Sequence, residues 1–131
     1  MCYNLYYEFE VVVQMPKIKI KIKIYSNEEK TEYEVFGIYN EEQNKIIYKE
    51  PDNTTTSYDY KNKSLIRENT ELKMEYNFTT KNTSRGRILI KDLNQNIDVN
   101  IKTINIEQKE KNTQIEYEIE KQKFKYIIEV I

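Results

Sequence analysis

Apolar and polar residues alternate along most of this chain with a period of two. Residues 17–24 read Lys-Ile four times over, which puts Lys17, Lys19, Lys21 and Lys23 on one face and Ile18, Ile20, Ile22 and Ile24 on the other. Successive side chains of a strand point to opposite faces, so this run predicts a half-buried strand. Ser26-Asn27 supplies its turn. Residues 31–40 predict a second strand, with Tyr33 and Val35 inward and Glu32 and Glu34 outward. Around Gly37 the apolar phase passes to Phe36 and Ile38, which predicts a bulge or bend there. Ile46, Tyr48 and Glu50 share one face of a third strand that ends at Pro51. Thr54, Thr56, Tyr58 and Tyr60 mark a fourth, and residues 64–68 a fifth with Leu65 and Arg67 on one face.

The pattern continues through Leu72, Met74, Tyr76 and Phe78, then through residues 87–91. Ile97, Val99 and Ile101 alternate, but Ile104 and Ile106 follow in the opposite phase, so a second bulge is expected near Thr103. Glu107 to Asn112 reads as a charged loop. Ile115, Tyr117 and Ile119, then Phe124, Tyr126, Ile128 and Val130, complete the series. Short strands at regular spacing with turn residues between them predict an all-β sandwich or barrel. We expect a closed antiparallel β-barrel of about eight to ten strands, because closure removes the exposed edges that strands this apolar would otherwise present. Residues 15–131 form one domain in this reading. Residues 1–14 alternate as well and read either as an extra N-terminal strand or, with translation starting at Met15, as a leader outside the protein.

Composition narrows the chemistry. The chain has 131 residues with no His, no Trp, one Cys and two Gly. Without His, Ser-His-Asp and Cys-His catalysis and His-based metal sites are excluded. Cys2 cannot form an intramolecular disulfide, and nothing near it in sequence would activate it as a nucleophile. Gly-rich phosphate loops are absent, and Ser84-Arg85-Gly86-Arg87 reads as a turn leading into an exposed strand. Glu50 and Asp52 are the nearest thing to a carboxylate pair, in a chain where acids are common. We therefore expect a non-enzyme with no catalytic residues, no metal and no cofactor. The net charge of -1 argues against a nucleic-acid binder. The Lys17–Lys23 stripe has a simpler reading in cross-strand ion pairs with Glu32, Glu34, Glu116, Glu118 and Glu120. No apolar run reaches the length of a membrane helix, and no basic-then-apolar leader opens the chain, so a soluble cytoplasmic protein is expected.

The inward tyrosines hold the remaining signal. Tyr33, Tyr48, Tyr58, Tyr60, Tyr76, Tyr117 and Tyr126 all fall on inward positions. A barrel of this size is either filled by side chains or holds one small ligand. Both readings use the same residues. Glu50 and Arg67 share the inward faces, and buried charges are costly unless paired. Either they pair with each other, or they sit at the rim, or one is left for a charged ligand. The candidate binding set is Tyr48, Glu50, Tyr58, Arg67, Met74 and Tyr76, with Arg67 anchoring a small anionic ligand because its planar fork suits a carboxylate or phosphate. The alternative is a filled barrel that meets a protein partner through an outer face.

From Pro16 to about Tyr117 the chain resembles the YwiB-like family of small bacterial β-barrels. The resemblance rests on "FGIYNEEQNKIIYKEPDNTTTSYDYKNKSLIREN", with "YKE" at Tyr48-Lys49-Glu50 and the Arg67 strand in family order, and on "IDVNIKT" at residues 97–103. It departs from the family at Gln95-Asn96, where Gly is usual, and near Ile90, where an aromatic is usual. The resemblance implies a calycin-like (lipocalin-like) barrel and brings no activity or functional residues with it.

Overall fold

The structure, a computed structural model, describes residues 16–79 and 83–131. Among them are ten strands and no helix: β1 (Lys17–Ser26), β2 (Glu29–Asn40), β3 (Lys45–Lys49), β4 (Thr55–Asp59), β5 (Ser64–Glu68), β6 (Leu72–Asn77), β7 (Ser84–Ile90), β8 (Gln95–Lys109), β9 (Asn112–Ile119) and β10 (Gln122–Val130). Each strand pairs antiparallel with its neighbours in sequence. β1 also pairs with β10, from Ile20 opposite Val130 to Ser26 opposite Phe124, and so closes the barrel. The extra strand or leader read over residues 1–14 lies outside the described residues.

Alternation places the core as expected. Ile20 and Ile22 of β1, Ile46 and Tyr48 of β3, Tyr58 of β4, Leu65 of β5, Ile101 of β8, Ile115 and Tyr117 of β9, and Tyr126 and Ile128 of β10 are all buried. The lysine stripe faces outward and is ion-paired only in part as read: Glu34 and Glu32 take Lys19 and Lys21, Lys23 turns to Glu129 at 3.0 Å instead, and among the described residues Glu116, Glu118 and Glu120 pair with none of the stripe.

The bulge near Thr103 is present. The β8–β9 register shifts between Thr103 and Asn105, which leaves Ile104 exposed and turns Ile106 inward. The bulge or bend expected at Gly37 does not occur. The β1–β2 register runs unbroken through Gly37, and the inward series is Tyr33, Val35, Gly37, Tyr39. Phe36 and Ile38 instead face outward, Phe36 with 67% of its surface exposed. Gly37 is a matter of packing, because a Cβ there would lie 3.0 Å from the Ile46 side chain. The charged loop expected over 107–112 is also corrected. β8 runs on to Lys109, β9 begins at Asn112, and only a two-residue turn separates them. The charges there sit on the outer face of continuing strand. Ser84-Arg85-Gly86-Arg87 likewise lies wholly within β7.

Candidate functional site

The two halves of the interior differ. At one end, which carries the turns 41–44, 60–63 and 110–111, the barrel is stoppered by tyrosines. The β8–β9 hairpin reaches over this end, where the Tyr60 hydroxyl donates to the Lys111 carbonyl at 3.0 Å. The Tyr58 hydroxyl donates to Gln108 Oε1 at 3.2 Å, and Gln108 Nε2 donates to the Tyr60 carbonyl at 3.0 Å. Tyr58 and Tyr60 meet edge to face with ring centroids 5.0 Å apart, and the Lys111 ammonium lies 4.6 Å from the Tyr39 ring centroid. The Tyr58 and Tyr60 hydroxyls therefore both have partners, which is the condition for burying tyrosine at low cost, whereas the buried Thr113 hydroxyl of the same hairpin has none.

Between the halves, the Tyr48 and Tyr126 hydroxyls bond to each other across the interior. Burial drives both phenols well above their ordinary pKa, with the neighbouring phenol adding to the effect at Tyr48. Neither carries charge at neutral pH.

The other half holds the inward charges. Glu50 lies just beyond β3 and Arg67 near the end of β5, and the two are joined side by side. Arg67 Nε donates to Glu50 Oε2 at 3.0 Å, and Nη2 donates to Oε1 at 2.9 Å. The Tyr33 hydroxyl donates to Oε1 and the Thr56 hydroxyl to Oε2, both at 2.9 Å. Each carboxylate oxygen thus accepts two hydrogen bonds, so Glu50 is fully occupied although only 6% of its side chain is exposed. Burial pulls the Arg67 pKa down, but the hydrogen bonds and charge of Glu50 outweigh it and the net shift is upward. Of the readings open for this pair, mutual pairing is the one observed. Arg67 keeps 29% of its side chain exposed, and its Nη1 makes no hydrogen bond among the described residues.

Around that free edge the inward side chains are only half-buried: Tyr33, Met74, Tyr76, Ile88, Val99 and Phe124. Met74 is paired with Arg67 across β5–β6, and the Tyr76 hydroxyl points to the Met74 sulfur at 3.8 Å. Tyr117 stacks on Phe124 at 5.2 Å and closes the far wall. Ile97, at the mouth, is 40% exposed. Half-buried apolar and aromatic side chains thus share this half of the interior with a single arginine edge.

The structure thus brings together Glu50, Arg67, Met74 and Tyr76, with Tyr48 behind them. Tyr58 belongs to the stoppered end, committed to Gln108. Tyr33 and Thr56 complete the site and were not singled out for it in the sequence. Their inward parity on β2 and β4 was the available signal. Asp52 stands apart from Glu50 in an exposed turn, where its carboxylate accepts from the Thr54 backbone N–H at 3.0 Å and its pKa is lowered by that bond. Four surface concavities lie against Gln108 and Thr113, Tyr25 and Lys123, Asn53 and Lys91, and Arg85 and Asp98, the second of them reaching Phe124. None of these four is lined by the six candidate residues. Among the described residues no three His, Cys, Asp or Glu side chains gather to hold a metal ion, and no helix is long and apolar enough to cross a membrane.

A ten-strand antiparallel barrel with one end stoppered and an inward ion pair at the other is the class that this geometry defines. Among solved structures it is similar to the ywiB protein from Bacillus subtilis. The two superpose with a TM-score of 0.53 at 15% sequence identity, over 88% of this chain and 90% of that one. At that identity the likeness concerns the fold. No family model and no curated protein matches the chain.

Proposed function

We propose that this protein is a non-catalytic binding barrel that takes one small molecule into the half-open end of its interior. In this reading it works as a lipocalin-like (calycin-like) barrel does, with the ligand held inside the sheet. The observation that carries the proposal is the free Nη1 edge of Arg67, set among half-buried apolar side chains. Ligand sites are mostly apolar with a few placed polar groups, and this half of the interior has that make-up. The Glu50 carboxylate has no acceptor capacity left for a ligand amine, whereas Arg67 has N–H groups to give. The ligand is therefore a small molecule with an apolar body and one acceptor end, a carboxylate being the best fit to a guanidinium. Met74 and Tyr76 contact the body, and Tyr48 backs the pocket.

The test is the mass of the gently purified protein in its native state against its denatured mass. An excess mass that disappears on denaturation identifies the ligand by size. The Arg67→Lys variant keeps a charge for Glu50 but loses the planar fork. It is expected to purify folded with the excess mass reduced or gone. Equal native and denatured masses, together with no binding from a panel of small carboxylates, overturn the proposal.

A further inference from the structure

Strand β2 outruns the strand that follows it. It pairs with β1 from Glu29 to Ile38, but with β3 only from Gly37 to Asn40. At Glu50 the chain turns away from β2, and the Glu50 N–H closes that turn on the Thr54 carbonyl at 2.8 Å. Among the described residues, Glu29–Phe36 therefore have no register partner on their second side. Parity tells which backbone groups are left over. The Tyr39 N–H donates to the Pro16 carbonyl, next to Lys17 of β1, and the β1–β2 register runs on without a bulge. Odd-numbered residues of β2 thus turn their backbone groups to β1, and even-numbered ones turn theirs the other way. The N–H and C=O groups of Lys30, Glu32 and Glu34 line an open edge, which is a template for one more strand. Lys30 to Glu34 present about 17 Å of it.

The Glu50–Arg67 pair stands at the end of this edge. Tyr33, within the open stretch, donates its hydroxyl to Glu50 Oε1, the oxygen that also takes Arg67 Nη2. The other oxygen takes Arg67 Nε and the Thr56 hydroxyl of β4. The guanidinium therefore lies with its Nε side toward β4 and its Nη end toward β2. A planar fork held through Nε and Nη2 keeps one further edge, made by Nη1 and the second N–H of Nη2, and here that edge faces β2. Along the open stretch Tyr33 and Val35 point inward and are half-buried, while outward Glu32 and Glu34 are already paired with Lys21 and Lys19. β8 has a comparable stretch, Gln95–Ile101, which pairs with β7 alone. Among the described residues no hydrogen bond joins that stretch to Glu50 or Arg67.

Resting on the reading of this half as a binding site, we propose that the ligand is a short peptide with a free C-terminus, added to the edge of β2 as one more strand. Its main chain bonds to the backbone groups of Lys30, Glu32 and Glu34, and its terminal carboxylate takes the free edge of Arg67. An N-terminal ammonium would meet the guanidinium with like charge, and Glu50 has no acceptor left for it. The peptide therefore runs parallel to β2, with its last residue nearest Arg67. Every second side chain turns inward against Tyr33 and Val35 and is apolar. In strand addition the main chain gives affinity and alternate side chains give specificity.

The test uses the full chain with three probes: acetyl-Val-Thr-Val-Thr-Val as the free acid, the same peptide as its C-terminal amide, and octanoate, a carboxylate without a main chain. Amide exchange is read residue by residue with each. The free acid is expected to slow exchange at Lys30, Glu32 and Glu34 and to leave Thr31, Tyr33 and Val35, which already face β1, as they were. The amide form is expected to bind about tenfold more weakly, since it loses the charged hydrogen bonds to Arg67. Equal binding of the two peptide forms overturns the proposal, as does slowing at Gln95–Ile101 in place of β2. So does a free acid that does not bind. If octanoate then binds, or the native mass exceeds the denatured mass, the interior binding site stands without the peptide. If neither occurs, both readings fall.

Discussion

Arg67 grips Glu50 with two parallel hydrogen bonds, Nε to Oε2 at 3.0 Å and Nη2 to Oε1 at 2.9 Å, and the two ends of this pair are unequally buried. The carboxylate is 6% exposed and the guanidinium side 29%. Loss of either partner leaves the other charge behind, and the cost depends on how far that charge is from water. Arg67→Met strands a buried carboxylate and is expected to cost about 3 kcal/mol or more. Glu50→Gln keeps acceptors and donors near Tyr33 and Thr56 and leaves an arginine that reaches solvent, so about 1–2 kcal/mol is expected. Urea unfolding of both variants checks the order. Equal costs, or a larger cost for Glu50→Gln, would mean that the pair is solvated from both sides.

Seven tyrosines, Tyr33, Tyr48, Tyr58, Tyr60, Tyr76, Tyr117 and Tyr126, have pKa values raised above 10.0, in each case chiefly by burial. The folded state therefore holds their protons more tightly than the unfolded chain does. Their contribution to stability is complete below pH 10, where both states are protonated, and is lost as pH rises beyond it. Alkaline denaturation is expected to be cooperative, with the buried phenols ionising together as the barrel opens. A phenolate absorbance titration run beside circular dichroism checks this. Gradual ionisation of all the tyrosines near pH 10 with the barrel intact would contradict the burial described here.

The faces of the strands were legible because alternation is strict and each inward tyrosine keeps its parity. The bulge at Thr103 was legible for the same reason, since a change of phase is written directly in Ile101, Ile104 and Ile106. The phase around Gly37 points the wrong way because Phe36 and Ile38 are apolar although they face outward. They belong to an outer patch, and periodicity cannot distinguish an inner apolar face from an outer one. Residues 107–112 misled because the bulge inverts the parity and puts polar Gln108 on the inside. That both Glu50 and Arg67 point inward was readable, but their contact was not. Glu50 lies beyond the last paired residue of β3, and its meeting with Arg67 depends on the stagger of three strands.

Gly86 and Gly37 both face inward, but they differ in what an added methyl group would meet. A Cβ on Gly86 would lie 2.7 Å from the Tyr76 ring, 2.9 Å from Ile101 Cδ1 and 3.0 Å from the Glu75 carbonyl. One of these neighbours is backbone and another is a ring already packed edge to face on Phe78 and Tyr117. On Gly37 the nearest atoms, at 3.0 Å, are Cγ1 and Cδ1 of Ile46, and the nearest backbone atom, the Ile47 carbonyl oxygen, stands off at 3.4 Å. Gly86→Ala is expected to destabilise by about 1–3 kcal/mol through overpacking, and Gly37→Ala by less. Chemical denaturation of the two variants side by side tests the difference. A Gly86→Ala protein as stable as the parent would show that the wall formed by Tyr76 yields freely.

Neither glycine of this chain serves a turn, and the turns draw on other residues in left-handed backbone. Asn27, Asn44, Asn53 and Asn94 adopt positive φ, as asparagine does more readily than most residues. The β9–β10 turn is different, because both of its residues are left-handed and neither is Asn or Gly: Glu120 at φ 52 and Lys121 at φ 67. Ile119 pairs with Gln122 across it, so two central residues of positive φ make a type I′ hairpin, the turn that favours Asn-Gly. A side chain in left-handed backbone costs roughly 1–2 kcal/mol, which glycine avoids. The double substitution Glu120→Asn/Lys121→Gly is therefore expected to stabilise the barrel by about 1–2 kcal/mol. A domain of this size should then melt several degrees higher, about 2–8 °C. Calorimetry reads this directly. An unchanged or lower melting temperature would mean that Glu120 and Lys121 contribute more through their side chains than their backbone costs.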